Sequence, residues 1–151
     1  YGFDIPRSYR TICKSIVHAL ALLDLPAEFR PVNDIVVRSK KISGSAQTRR
    51  AGILLQHGTL LCAVDLETMF RLLKVGREKL SGKMLERASQ GVTSITDELG
   101  PIDMQDVYQA LLRGFTTDKA WEFGSLTEEE LERAITLAEK RYRSEKWNFA
   151  K

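Results

Sequence analysis

The chain has 151 residues, of which 23 are Lys or Arg and 20 are Asp or Glu, giving a formal charge of +3. A domain of that length buries roughly 68–70% of its unfolded surface, so one domain with a real core is expected. So small a net charge does not by itself imply a nucleic-acid or membrane partner, and neither is expected.

No apolar run approaches the roughly 20 residues that cross a bilayer, and no leader pattern opens the sequence. Cys13 and Cys62 lie far apart, each inside an apolar periodic segment, which predicts buried thiols in a reducing cytoplasm rather than a disulfide framework.

In chain order, Ile12, Ile16, Val17, Leu20 and Leu23 recur at helical spacing between Pro6 and Pro26, predicting a helix over residues 6–25. From Asn33 to Val64, the stretches DIVVRS, KISGSAQT and GILLQHGTLLCAV are β-branched, alternating or strand-like. They predict consecutive antiparallel strands joined by tight turns. Asp65 is placed to cap a helix over 66–75, and a Gly-interrupted helical piece follows over 78–89. Asp103 should cap a helix over 104–115 with an apolar face at Val107, Leu111 and Leu112. KAWEFGSL, residues 119–126, reads as a short strand. Thr127 precedes Glu130 by the capping-box spacing, which opens a last amphipathic helix before the tail EKWNFAK. The expected fold is a single α+β (mixed α/β) domain over 1–151, with the sheet and its helices in 1–100 and a small helical cap in 101–151.

The stretch KKISGSAQTRR carries most of the chemical interest. Lys41 stands on a strand, which fixes it. Gly44 and Ala46, with Ser43 and Ser45, make a wall with little side-chain bulk along which a thin ligand could lie. A lysine at its mouth can donate to a phosphate or carboxyl oxygen and stabilise charge developing in acyl transfer. On these residues alone, a solvated lysine beside a bulge at Gly44 is the simpler reading. His57 invites a general-base assignment, but inside an apolar strand before Gly58 a hydrogen-bonded structural histidine is the expected role. Trp147 is expected to anchor the tail by burial. Arg38, Lys40, Arg49 and Arg50 form a basic cluster suited to solvent, phosphate or an acidic carrier.

Three spaced motifs change those odds. Asn33-Asp34, KKISGSAQTRR from Lys40 and LQHGTLL from Leu55 resemble the lipoate ligase and octanoyltransferase family, whose catalytic domain shares the biotin protein ligase fold. Tyr142, Ser144, Trp147 and Asn148 also resemble the end of its single-domain members, so the resemblance covers nearly the whole chain. It implies that Lys41 is catalytic, contacting the acyl carbonyl and the adenylate phosphate or polarising a thioester. It implies a substrate- and adenylate-binding set of Asn33, Asp34, Lys41, Ser43, Gly44, Ser45, Ala46, His57, Gly58 and Thr59. Gly44, Ser45 and Ala46 would line the acyl tunnel, Asn33 and Asp34 would lie beside the nucleotide, and Gly58 and Thr59 would shape the groove. GSAQ after the lysine points to a lipoyl or octanoyl chain rather than biotin.

The chain also departs from the family pattern. Nothing matches the upstream Arg-Arg-x-x-Gly-Gly-Gly-x-x-x-His segment whose amides meet the ligand, so the sheet is expected to be incomplete without an upstream polypeptide or partner subunit. One transferase branch uses a cysteine nucleophile in the loop before the Asn-Asp strand; residues 23–34 hold none. The resemblance therefore implies a lipoate-protein ligase component that uses ATP with Mg²⁺ to activate lipoate or octanoate. It would pass the acyl group to lipoyl domains of 2-oxoacid dehydrogenase complexes or to the glycine cleavage H protein, with no protein-ligated metal. The rival readings are an octanoyltransferase drawing on acyl carrier protein and a non-catalytic acyl- or carrier-binding subunit.

Overall fold

The structure, a computed structural model, describes residues 4–72 and 91–150. The helical piece expected over 78–89, and the end of that expected over 66–75, lie outside the described residues. The chain forms two compact units, Tyr1–Asp118 and Lys119–Lys151.

In the first unit, helix α1 spans Ile5–Ala21. The Asp4 carboxylate accepts from the Arg7 amide and Pro6 sits in the first turn, where a missing amide costs nothing. The apolar stripe Cys13, Ile16 and Leu20 meets Leu25, Ile35, Val37, Ile42, Ile95 and Val107 in one buried cluster. Burying one such aliphatic side chain contributes about 1.5–3 kcal/mol.

Four strands form an antiparallel sheet in sequence order: β1 (Ala27–Arg30), β2 (Asp34–Val37), β3 (Lys40–Arg50) and β4 (Ile53–Leu60). Strands β2 to β4 fall where the alternation predicts them. Strand β1 was not foreseen, because Pro26 and Pro31 flank four residues that alternate only weakly, Ala27 and Phe29 half-buried and Glu28 and Arg30 exposed. Both hairpin turns place two residues in the left-handed region, Arg38 and Ser39 (φ 47° and 68°) and Ala51 and Gly52 (φ 50° and 76°). Turns of that hand match the twist of paired strands.

The register of β2 on β3 positions the site. Asp34 pairs with Gly44 and Ile35 with Ser43, but Val36 pairs with Lys41, leaving Ile42 as an extra residue in β3. Ile42 and Ser43 are adjacent, yet both are buried, at 0% and 1% exposure. Two neighbours sharing the core face mark a β-bulge. It lies two residues before the position expected from Gly44.

After β4, the Asp65 carboxylate accepts the Thr68 amide and opens α2 (Leu66–Leu72), the expected cap. Residues 91–93 then run beside Lys41, with a parallel bridge from Val92. Helix α3 (Ile95–Leu99) starts at a Ser94–Asp97 capping box, and α4 (Met104–Thr116) starts at the expected Asp103 cap. α4 packs against α1.

The second unit begins with residues 119–126, which form no strand. Trp121 and Phe123 instead meet edge to face with centroids 5.1 Å apart. The expected strand has no neighbour within this unit to complete a ladder, and an unpaired strand is not stable alone. The expected Thr127–Glu130 capping box opens α5 (Glu128–Leu137), followed by a π-helical turn (Ala138–Tyr142) and α6 (Glu145–Asn148). Trp147 is 47% exposed rather than buried. It rests edge-on against Tyr142 and under the Arg141 guanidinium, 4.3 Å from its ring centroid. Among the described residues no helix is long and apolar enough to cross a membrane.

Gly114 sets the approach of α4 to α1. A Cβ there would lie 2.4 Å from the Ser15 carbonyl oxygen and 2.9 Å from the Ala19 amide nitrogen, backbone atoms that cannot step aside. Gly114→Ala should lower unfolding free energy by roughly 1–3 kcal/mol, read as a shifted urea midpoint with an unchanged slope.

Candidate active site

The bulge at Ile42 decides what Lys41 faces. In a regular strand Lys41 and Gly44, three residues apart, would point to opposite faces. With the extra residue turned into the core, Lys41 shares the outer face with Gly44 and Ala46, and with Asp34 across in β2. The Lys41 ammonium lies 2.6 Å from Asp34 Oδ1. Its end lies over the α-carbon of Gly44, where a Cβ would come within 2.9 Å of both Cε and Nζ. Gly44 is therefore required for the place where the ammonium rests, not for a turn.

Asp34 also accepts from Arg30 Nη2 through Oδ2 at 3.1 Å. Burial alone would raise the Asp34 carboxyl, but the hydrogen bonds and charges of Lys41 and Arg30 outweigh it and hold the group below the ordinary aspartate range. Two cations and one carboxylate leave the group positive, so it attracts an anionic ligand. One Lys41 N–H bonds Asp34, and among the described residues two remain for ligand oxygens.

A pocket of about 290 Å³ opens on this face, lined by Asn33, Lys41, Gly44, Ser45, Ala46, His57, Gly58 and Thr59. The register brings them together: Gly44 pairs with Thr59, Ser45 with Gly58 and Ala46 with His57. Eight of the ten candidate residues thus meet at one cavity. Of the others, Asp34 holds Lys41 from the rim, and the bulge turns Ser43 into the core with Ile35, away from the cavity. Asn33 is fastened to β3 twice, its side-chain amide donating to the Ser45 carbonyl and its own carbonyl accepting the Ser45 amide. A Cβ on Gly58 would approach Ser45 Oγ to 2.8 Å and the Gly44 carbonyl oxygen to 3.1 Å, so a glycine lets these strands close the pocket floor.

His57 is exposed on the pocket face, because it shares the outward register of Ala46. The expected basic cluster is also dispersed. Eleven-residue β3 separates its ends by about 33 Å, Arg38 pairs with Glu98, and Arg49 donates to Ser8 Oγ. Sequence reasoning missed Arg30, whose strand was not foreseen, and residues 91–93, which carry no motif.

Both cysteines suit inert thiols. Cys13 is fully buried, Cys62 is partly so, and burial pushes each thiol up, opposite to the shift that activates a nucleophile. Among the described residues no three His, Cys, Asp or Glu side chains gather to hold a metal, and none of the pocket-lining residues is a carboxylate.

Comparison with known proteins gives a family. The model of the lipoyl protein ligase A/B catalytic domain matches residues 1–116. An octanoyltransferase LipM of Brevibacillus brevis is 35% identical over 119 residues, covering 77% of this chain and 43% of that protein. Among solved structures, a bi-partite lipoate protein ligase from Thermoplasma acidophilum, described with its E2 lipoyl domain, superposes with a TM-score of 0.84 at 32% identity. That match covers 97% of this chain and 58% of the other. A lipoate-protein ligase A bound with ATP gives 0.78 at 30% identity, over 96% and 59%. The chain thus spans 43% to 59% of the length of these relatives.

The site yields two expected outcomes. Because the folded Asp34 value is depressed, the pair's contribution to stability is complete above the ordinary aspartate value of about 3.9 and is lost as pH falls through Asp34's own lower value. Carboxyl ¹³C titration should place Asp34 below ordinary aspartates, and Lys41→Ala should move it upward, since burial then acts with less opposition. Gly44→Ala should give a similar upward move with little loss of stability, because the atoms a Cβ displaces are the flexible end of a lysine. An unmoved Asp34 titration in both variants would refute the geometry.

Proposed function

Because the chain belongs to the lipoyl protein ligase A/B catalytic domain family, we propose that it is the part of a lipoate-protein ligase that grips the reactive end of the acyl substrate. The carrying observation is the Lys41 ammonium, held by Asp34 over Gly44 at the pocket mouth. Lipoate or octanoate would lie along Gly44, Ala46, Gly58 and Thr59, and its carboxyl end would meet the two free N–H groups of Lys41. The carboxylate would attack the α-phosphorus of ATP and release pyrophosphate, giving an acyl-adenylate whose AMP leaves when the acceptor amine attacks the acyl carbon. Negative charge develops on the acyl and phosphate oxygens, and a cation fixed beforehand by strands stabilises it without reorganising. Asn33 and Asp34 would lie on the nucleotide side. The acceptor would be a lysine of a lipoyl domain, a reading supported by the E2 lipoyl domain described with the T. acidophilum ligase.

Mg²⁺ is expected to accompany ATP, but the described residues do not fit it as a ligand set. The Asp34 oxygens are engaged by Lys41 and Arg30, and the pocket lining adds no carboxylate. The ion would be held by the nucleotide's phosphates.

A further polypeptide, continuous or separate, would complete the catalytic domain. The chain's share of its relatives' length supports this, as does β4, an edge of the described sheet with Ile53 and Leu55 exposed. A cytoplasmic setting is part of this proposal.

The LipM relative favours a second reading, octanoyl transfer from an acyl carrier thioester. Two thiols that burial pushes up, Cys13 fully buried and Cys62 partly so, argue against the cysteine route in this chain. Incubation of the complete enzyme with a lipoyl domain, followed by intact-mass measurement, separates the two. The ligase forms product from octanoate and ATP, and the transferase forms it from the carrier thioester without ATP. Under the ligase reading, Lys41→Ala should reduce turnover roughly 10²–10³-fold; near-normal turnover would remove the catalytic assignment.

A further inference from the structure

Lys41 is gripped by its backbone as well as by its ammonium. On one side it pairs with Val36 of β2. On the other, its amide donates to the Gly91 carbonyl (2.8 Å) and its carbonyl accepts from the Thr93 amide (2.9 Å). Segment 91–93 therefore fixes the strand at the residue that carries the ammonium, and what holds that segment controls the site.

Glu98 of α3 has the geometry to do this. Its side chain is only 6% exposed, and both carboxylate oxygens are used. Oε1 accepts from Thr93 Oγ1 at 2.7 Å, and Oε2 accepts from Arg38 Nη1 at 2.5 Å. Thr93 is the residue whose amide holds the Lys41 carbonyl. Arg38 belongs to the turn that leads into Lys40 and Lys41, where two residues with side chains occupy the left-handed region at φ 47° and 68°. That conformation is sparsely populated for such residues and persists when surrounding structure determines it. A nearly buried carboxylate left without donors is costly, so Glu98 draws its two partners together.

We propose that Glu98 is a positioning residue for Lys41: by clamping Arg38 on the turn before it and Thr93 on the segment beside it, Glu98 fixes the backbone from which the ammonium reaches over Gly44. Its bearing on catalysis rests on the role given to Lys41 under Proposed function. The geometric part stands apart from that role.

The test uses the full chain and reads the geometry directly. Amide hydrogen exchange at Lys41 reports the bond to Gly91, and the Asp34 titration reports the ammonium. Glu98→Gln keeps an acceptor for Thr93 but presents an NH₂ or a neutral oxygen to Arg38. It should speed Lys41 exchange about tenfold while amides within α1 keep their rates, and should move the Asp34 titration toward that of Lys41→Ala. Arg38→Gln, at a largely exposed position, should do the same if Glu98→Gln fails to fold, and Arg38→Lys should restore both readouts in part. Unchanged Lys41 exchange and Asp34 titration in a folded Glu98→Gln protein, or in Arg38→Gln where that protein does not fold, would overturn the proposal. A general acceleration that includes α1 would overturn it too, since Glu98 would then serve overall stability. If Lys41→Ala proves active while these readouts shift, the positioning inference stands and the catalytic reading falls.

Discussion

A single residue out of step in β3 governs the site. Ile42 and Ser43 both turn into the core, and that local break in alternation brings Lys41 to the face of Asp34 and Gly44. The 2.6 Å contact between ammonium and carboxylate depends on the break, and so does its place above an α-carbon with no side chain. Slipping the strand by one residue would carry Lys41 into the apolar cluster and Ile42 into solvent. Burial of Ile42 thus enforces the register that the candidate chemistry needs. Packing and the candidate site's geometry depend here on the same residue.

The rest of the first unit makes that strand stiff. On its core side, β3 and β4 meet α1 through a polar seam as well as through apolar contact. Gln47 donates to Gln56, Ser8 lies 2.8 Å from Gln47, and Arg49 reaches back to Ser8. Beneath it, Cys13, Ile16 and Leu20 of α1 share one cluster with Ile35, Val37 and Ile42. Residues 91–93 add a third neighbour at Lys41. A cation on such a support changes position little when a ligand arrives, which is how a fixed charge stabilises developing charge better than a mobile one.

The outer face has the opposite character. Gly44 is only half-covered, while Ala46, His57 and Thr59 are exposed, as are Ile53 and Leu55 farther along β4. Small side chains near Lys41 leave room for a slender ligand, and larger apolar ones toward the other end of β4 suit contact with further polypeptide. This gradient along one hairpin agrees with a chain that spans little more than half the length of the solved ligases it matches.

Local sequence determined much of this protein. Helix caps at Asp65, Asp103 and Thr127 are short-range hydrogen bonds written into adjacent residues, and the alternation of β2, β3 and β4 follows from side-chain period. The motif residues around Lys41 and His57 identified the family, and eight of the ten candidate positions line one cavity. Other features depend on partners distant in sequence. Strand β1 exists because β2 completes its ladder, whereas residues 119–126, with similar local character, lack such a neighbour in their unit. His57 faces out because Ala46 does, and Ser43 faces in because the bulge turns it. Trp147 is held by Tyr142 and Arg141 rather than by a core. The sequence by itself determined which residues are candidates for the chemistry, since residue type and spacing are local. Tertiary structure alone decided which way Lys41 points, because a bulge arises from competition between two buried neighbours for one core, and no local pattern contains that core.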